Sequence, residues 1–317
     1  MYDAGTIRVR RVLVMGEELD RISMRAHAKL NLALAVGPPI DAPNQPTHGY
    51  HPVYSYMHAI ELSDLIEIRR LNLGHTSIFD LAWQRKDGTT QPVEWAPEQD
   101  LAFRAHQLLE QHSEQSLPVE VVVRKAIPAG GGLGGGSSDA ASVLVGLNQL
   151  FGLGLDTTAL QSIAMRFGSD IAYFIDEELN SPRPAIVSGF GETIERIDPG
   201  HVGQSVSLIV PPFGCHTGQV YAAFDSTCDW DHPDEARVHD LAGAAQLSDD
   251  SIWNDLYPPA CAIEPRLEQL RDSFATRFGK AVHLSGSGST LFVLGPLDAG
   301  LVHELHPDCR VIHSRLC

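Results

Sequence analysis

Pro128-Ala-Gly-Gly-Gly-Leu-Gly-Gly-Gly-Ser-Ser-Asp-Ala-Ala141 is the stretch on which the reading of this chain turns. Six of its fourteen residues are glycine: Gly130, Gly131, Gly132, Gly134, Gly135 and Gly136. Glycine loses the most backbone entropy on ordering, so a run this dense opposes folding unless backbone N–H groups must approach something closely. Upstream, Val119 to Lys125 alternates like a strand. Downstream, Ser137 and Ser138 can cap a helix carrying Ala140, Ala141, Val143, Leu144 and Leu147. A glycine loop feeding a helix N-terminus suits an anion, because unpaired N–H groups and the helix dipole converge there. The stretch therefore predicts a phosphate cradle.

Spacing alone leaves the kind of cradle open. A Walker loop needs G-x-x-x-x-G-K-[ST]; Gly131 to Ser138 has that glycine spacing, but Ser137 stands where the lysine belongs. Gly130, Gly132 and Gly135 satisfy G-x-G-x-x-G, a match that is nearly automatic in so glycine-rich a run. A protein-kinase loop would need H-R-D and D-F-G companions, which are missing. A flexible linker fits poorly between flanks so strongly patterned.

The 317 residues suffice for one large domain or two ordinary ones. Twenty-three basic and 40 acidic residues leave a formal net charge of −17, which argues against nucleic-acid or membrane-surface binding. An anionic small molecule stays admissible, since a few lysines and N–H groups suffice to hold a phosphate. Cys215, Cys228, Cys261, Cys309 and Cys317 are scattered and odd in number, as expected of reduced thiols in a cytoplasmic protein. No apolar run reaches membrane-spanning length, and the N-terminus does not read as a secretory signal. His303-Glu-Leu-His306 is not H-E-x-x-H and carries no metal expectation.

Ile22 to Val36 alternates strictly, predicting a half-buried strand whose polar face carries Lys29 and Asn31. Tyr54–Leu62 and Leu65–Arg70 read as a hairpin turning at Ser63-Asp64. A strand near Ile78–Gln84 and a helix capped by Asp100 follow, then, beyond the glycine loop, a helix opened by Asp156 and closed by Gly168. Asp170 sits just past that stop. Short strands are expected at Ala185–Ser188, Glu192–Ile197 and Val206–Val210, and helices at Thr217–Phe224 and Pro265–Phe278. Strand, small-residue turn and strand then fill Ala281–Leu294. The pattern predicts an α+β chain in two halves.

The glycine stretch resembles the second motif of the GHMP kinases, a superfamily of small-molecule kinases, P-x-x-x-G-L-G-S/G-S-S/G-x-A. Ala28-Lys-Leu-Asn-Leu-Ala-Leu34 resembles their first motif and Leu284-Ser-Gly-Ser-Gly-Ser-Thr290 their third. Further matches are G-Y-H at 49–51, L-S-D-L-I at 62–66, F-G-S-D-I at 167–171, T-G-Q-V-Y at 217–221 and W-N-D-L at 253–256. These details resemble the branch whose acceptor is 4-diphosphocytidyl-2-C-methyl-D-erythritol, in the methylerythritol phosphate route to isoprenoids. The resemblance implies an N-terminal ribosomal S5-like, ATP-binding domain over 1–200 and a ferredoxin-like domain over 201–317. It also implies ATP and Mg²⁺, a cytidine diphosphate conjugate as substrate, and a monomer or homodimer. The mevalonate- or homoserine-type kinases of the superfamily, or a non-catalytic homologue, are the alternatives.

By the same resemblance, Asp170 is the catalytic aspartate and Lys29 the lysine that stabilises charge at the reacting hydroxyl and γ-phosphate. Pro128, Gly130, Gly131, Gly132, Leu133, Gly134, Gly135 and Gly136 match the ATP loop. Ser137 and Ser138 fall where phosphate and magnesium are met, and Lys125 matches a lysine near the adenine. Asn31, Tyr50, His51, Tyr221, Gly286, Ser287 and Gly288 match substrate positions. Three departures stand out. His48 replaces the family's aspartate before G-Y-H, after an enlarged loop with Pro43 and Pro46. Asp100 replaces an asparagine; as a helix cap the two are equivalent, but facing a triphosphate the carboxylate would repel it. About twenty residues precede the first strand, either an added strand or a start at Met15 or Met24.

Overall fold

The computed structural model describes residues 20–44, 47–85, 87–178, 181–198, 200–227 and 234–317. The expectations for residues 1–19, Pro46 and Cys228 lie outside the described residues. In chain order come β1 (Arg21–Val36), β2 (Val53–Arg70), β3 (Ile78–Gln84), β4 (Thr90–Pro92), α1 (Leu101–Ser113), β5 (Val119–Lys125), α2 (Gly135–Phe151) and α3 (Thr157–Ala164). Then follow β6 (Ala185–Gly189), β7 (Thr193–Arg196), β8 (Ser205–Val210), α4 (Thr217–Thr227), α5 (Glu235–Gly243) and β9 (Trp253–Asn254). The chain ends with α6 (Tyr257–Ile263), α7 (Arg266–Phe278), β10 (His283–Leu284), β11 (Leu291–Leu294), α8 (Ala299–Leu305) and β12 (Arg310–Arg315).

Two sheets organise these elements. One runs β4-β3-β5-β2-β1-β9, with β6 and β7 added beside the N-terminal half of β2. The other runs β10-β11-β8-β12 and is antiparallel throughout. Helices α1, α2 and α3 cover one face of the first sheet over a core that includes Ile66, Val121, Leu144 and Ile163. A second core joins the two sheets: Leu30, Leu32 and Ile60 of the first meet Leu208 and Phe292 of the second. Burying each such aliphatic side chain contributes about 1.5–3 kcal/mol relative to leaving it in water. Helices α4, α6 and α7 supply residues to a third core with Ile209 and Leu291. Among the described residues, no helix is long and apolar enough to cross a membrane.

Strand β1 is present over the expected residues, but from Ala26 to Val36 every residue is buried, so its polar face is not a solvated one. The reason is that it lies between cores: Ala26 faces α2 and its companions, while Ala28, Leu30 and Leu32 face the second sheet. The hairpin expected at Ser63-Asp64 is instead the middle of the single strand β2. Its register against β1 steps from His27↔Ser63 to Ala28↔Ile60, leaving Glu61 and Leu62 in a bulge. Asp64 reads as a turn residue by composition, yet it is fully buried, and its carboxylate accepts the backbone N–H groups of Ala126 (2.5 Å) and Ile127 (2.8 Å). The turn-forming preference of aspartate is overridden by this tertiary use.

Asp100 and Asp156 cap α1 and α3 as expected, accepting from the N–H groups of Ala102 and Ala159. Helix α2 begins two residues earlier than Ser137, with Gly134 as its N-cap at φ 71°. Ser137 and Ser138 are therefore first-turn residues rather than caps. Helix α3 stops at Ala164, short of Gly168. Helices α5, α6 and α8 and strands β4, β9 and β12 have no counterpart in the sequence reading.

Candidate active site

The middle of β1 carries Lys29, 3% exposed, and one backbone and two side-chain contacts decide where it points. Its N–H donates to the Leu133 carbonyl (2.9 Å), which ties β1 to the glycine loop. Its ammonium donates to Asn31 Oδ1 (2.6 Å) and lies 3.5 Å from Asp170 Oδ2. Asn31 Nδ2 donates in turn to Ser55 Oγ (2.8 Å), which donates to the Ala33 carbonyl (2.6 Å). Asn31 is thus oriented with its oxygen toward the lysine. Asp170 comes from the turn between α3 and β6, and about a third of its side chain is exposed. A half-buried carboxylate beside a buried ammonium can take a proton from a hydroxyl while the ammonium stabilises the oxyanion formed.

Lys29 and Asp170 open onto a cleft of about 1200 Å³, which Gly132, Gly134 and Ser137 enter from the glycine loop. The first N–H groups of α2 are free of intrahelical partners by construction, and the helix dipole adds positive potential there. A Cβ on Gly134 would lie 2.9 Å from Phe174 and 3.1 Å from the Lys29 side chain, so only glycine fits between them. Gly286 and Ser287, from the β10–β11 turn, form the facing wall. A Cβ on Gly286 would lie 3.4 Å from Lys29 Nζ. Thr217, at the start of α4, exchanges a hydroxyl hydrogen bond with Ser287 (2.9 Å).

Tyr50, His51 and Tyr221 also line the cleft. Tyr50 is 61% exposed and meets Phe190 edge-on, with ring centroids 6.3 Å apart. His51 lies beneath, its Nδ1 hydrogen-bonded to the Gly37 carbonyl (2.8 Å), its Nε2 3.0 Å from Asp225 Oδ1. Its ring packs 5.5 Å from that of Tyr221. Burial first, and the Asp170 carboxylate second, push the Tyr221 phenol above its ordinary value, so it is a hydrogen-bond donor at neutral pH.

The remaining expected residues fall elsewhere. Pro128 and Leu133 are buried, Leu133 in the core between the sheets. Gly130, Gly131, Gly135 and Gly136 shape the loop without lining the cleft, and Gly288 packs against Leu284 and Cys215. Ser138 is 2% exposed and borders a small second cavity with His27 and Ser142. Neither Asp100 nor Lys125 is on the cleft wall. Asp100 is 6% exposed, and its second oxygen accepts from the Trp95 indole (2.9 Å). Lys125 is buried between Asp64 (3.2 Å) and Asp139. Burial opposes its charge, but the Asp139 and Asp64 carboxylates outweigh that and hold the ammonium above its usual range. Asp139, fully buried beside Asp64, is pushed up.

Phe190, Asp225 and Ser55 were not legible as site residues. Asn254, the second residue of W-N-D-L, has no role implied by the resemblance. It donates to the Leu284 (2.9 Å) and Gly286 (2.8 Å) carbonyls.

Residues 100–177 match the family model described as the GHMP kinases N terminal domain. At 14% identity and a TM-score of 0.65, the structure of homoserine kinase from Cytophaga hutchinsonii, covering 96% of this chain and 97% of its own, shares the fold. The fold and the three facing motifs are those of a GHMP-type small-molecule kinase. The chain is 32% identical to 4-diphosphocytidyl-2-C-methyl-D-erythritol kinase of Carboxydothermus hydrogenoformans, over 85% of this chain and 86% of the relative. It also superimposes on a crystal structure of 4-(cytidine 5'-diphospho)-2C-methyl-D-erythritol kinase at TM-score 0.69 and 28% identity, covering 93% of this chain and 99% of the other. The chain belongs to the 4-diphosphocytidyl-2-C-methyl-D-erythritol kinase family.

Proposed function

We propose that this enzyme transfers the γ-phosphoryl group of ATP to the 2-hydroxyl of 4-diphosphocytidyl-2-C-methyl-D-erythritol, a step of the methylerythritol phosphate pathway. The observation that carries the mechanism is the Lys29–Asp170 pair, 3.5 Å apart at the mouth of the glycine loop. Asp170 accepts the hydroxyl proton as the oxygen attacks. Lys29 stabilises the charge that develops between that oxygen and the transferred group, its water-poor setting strengthening the interaction. The N–H groups opening α2 hold the phosphates. Tyr50 and Phe190 at the cleft edge offer aromatic faces to the pyrimidine, and the protonated Tyr221 donates to the acceptor end of the substrate.

Mg²⁺ fits this donor set: a hard cation carried by phosphates needs only one or two protein oxygens, and Ser137 and Asp170 supply a hydroxyl and a carboxylate on the cleft. When bound, it neutralises phosphate charge. We assign residues 1–200 to an ATP-binding domain and 201–317 to a second domain that completes the cleft through Thr217, Tyr221 and Gly286. The net charge of −17 and the scattered cysteines support a cytoplasmic enzyme that binds neither nucleic acid nor membrane.

The test is ADP release with ATP, Mg²⁺ and the cytidine substrate, for the wild type and Asp170→Ala. Turnover by the wild type and its loss in the variant are the expected results. No turnover would reject the substrate, and full activity of Asp170→Ala would reject the mechanism alone. Preference for mevalonate or homoserine would move the enzyme to another branch.

A further inference from the structure

Lys29 and Asn31 belong to the first sheet, whereas Gly286 and Ser287, which face them, belong to a turn of the second. A cleft built from two sheets needs something to hold its walls in register. The segment Trp253–Leu256 does this with few residues. Trp253 and Asn254 form the two-residue strand β9, paired in parallel with Ala33 and Leu34 of β1. Asp255 extends that attachment: its N–H donates to the Leu34 carbonyl (2.9 Å), and its carboxylate accepts the Val36 N–H (3.0 Å). On the opposite side, the Asn254 amide donates one hydrogen to the Leu284 carbonyl (2.9 Å) and the other to the Gly286 carbonyl (2.8 Å). Its oxygen accepts the Leu256 N–H (2.9 Å). Both donors are spent across the gap between sheets, and the oxygen is spent on holding the side chain still.

We infer that Asn254 is the positioning residue that holds the Gly286 backbone against the Lys29 ammonium and so sets the catalytic geometry. It touches neither reacting group. It acts through the turn, whose Gly286 lies so near that a Cβ there would sit 3.4 Å from Lys29 Nζ. The same turn is stitched to the glycine loop, with Ser285 Oγ donating to the Gly132 carbonyl (3.0 Å) and the Thr290 N–H to the Gly131 carbonyl (3.2 Å). Asparagine is required by the donor count. Aspartate at this position would turn an oxygen toward two carbonyl oxygens, alanine would supply no donor, and serine has one hydroxyl hydrogen where asparagine gives two. Loosening the turn admits water beside Lys29, which screens its charge and blurs its position. A small misplacement of this kind slows chemistry far more than it weakens binding.

The inference rests on the kinase reading above, and a double-mutant cycle on the full chain tests it. Asn254→Asp is expected to lower kcat at least 30-fold, change the KM for the cytidine substrate less than threefold, and leave a folded protein. In a Lys29→Met background the same substitution is expected to change the residual rate less than threefold, because its target is gone. Asn254→Ser, which adds no charge, carries the same comparison if Asn254→Asp fails to fold. Amide hydrogen exchange over residues 284–288 is expected to quicken in either variant. Unchanged kcat, fully multiplicative rate losses with Lys29→Met, or unchanged exchange would overturn the inference. An inactive wild type would reject the substrate reading instead. The exchange comparison would still decide whether Asn254 holds the turn.

Discussion

Gly132 and Ser285 approach so closely that a Cβ on the glycine would lie 2.1 Å from the Ser285 carbonyl oxygen. Gly132 also has φ 75°, a conformation that an L side chain adopts at a penalty. Gly132→Ala therefore pushes the glycine loop and the β10–β11 turn apart. The expected loss is about 2–4 kcal/mol of stability together with most of the activity. Thermal unfolding and steady-state rates on the same preparation check both. Gly130→Ala is the control for the left-handed conformation alone, since its φ is 67° with nothing within 4 Å.

Lys29 and Asp170 should behave as chemical rather than binding groups. Lys29→Met and Asp170→Asn are each expected to lower kcat by about 10²–10⁴-fold with modest changes in KM. Their combined effect should be far from multiplicative, because each works on the same developing charge. Multiplicative losses would show that the 3.5 Å pair does not act as a unit.

Asp100 caps α1 and is not on the cleft wall, so its charge should be nearly silent toward ATP. Asp100→Asn is expected to change the KM for ATP less than threefold. It keeps an oxygen for the Ala102 N–H but loses an acceptor for the Trp95 indole, at a cost of about 1 kcal/mol. A large fall in KM would show that the carboxylate repels the triphosphate after all.

Lys125→Met leaves Asp64 and Asp139 buried without their shared cation. The expected loss is about 3–5 kcal/mol, measured by denaturant unfolding. Asp64 also holds the Ala126 and Ile127 N–H groups at the entry to the glycine loop, so Asp64→Ala should destabilise similarly.

His58 is fully buried, and its Nδ1 is hydrogen-bonded to the Ala59 carbonyl (2.9 Å). Burial pulls its pKa down to about 4. A base depressed in the fold is protonated more readily when unfolded. Its contribution to stability is therefore complete above the unfolded value of about 6.5 and is lost as pH falls toward 4. At pH 5 the loss is about 2 kcal/mol. His201, also lowered by burial, adds in the same sense. His58→Gln should flatten the fall in thermal midpoint between pH 7.5 and pH 5, and an equally steep fall would exclude His58 as its source.

The sequence by itself determined the glycine loop, the strand bearing Lys29, most helices and strands, and the three motifs that carry the family. Those signals are local: glycine density, alternation, caps and short spacings depend on neighbours within a turn or a strand. Only the tertiary structure decided that Ser63-Asp64 lies within a strand, because the fate of Asp64 depends on N–H groups 62 and 63 residues away. It also decided that Lys125 and Asp100 stand off the cleft wall, Lys125 between two carboxylates and Asp100 against a helix N–H and an indole. Phe190, Asp225 and Asn254 reach the cleft region from a turn, a helix and a short strand. Their placement follows from how two sheets pack, which no periodicity along one strand encodes. The loop from Pro128 to Ala141 is legible as a glycine loop opening a helix, and only the fold brings Lys29 beside it, through the hydrogen bond from the Lys29 N–H to the Leu133 carbonyl.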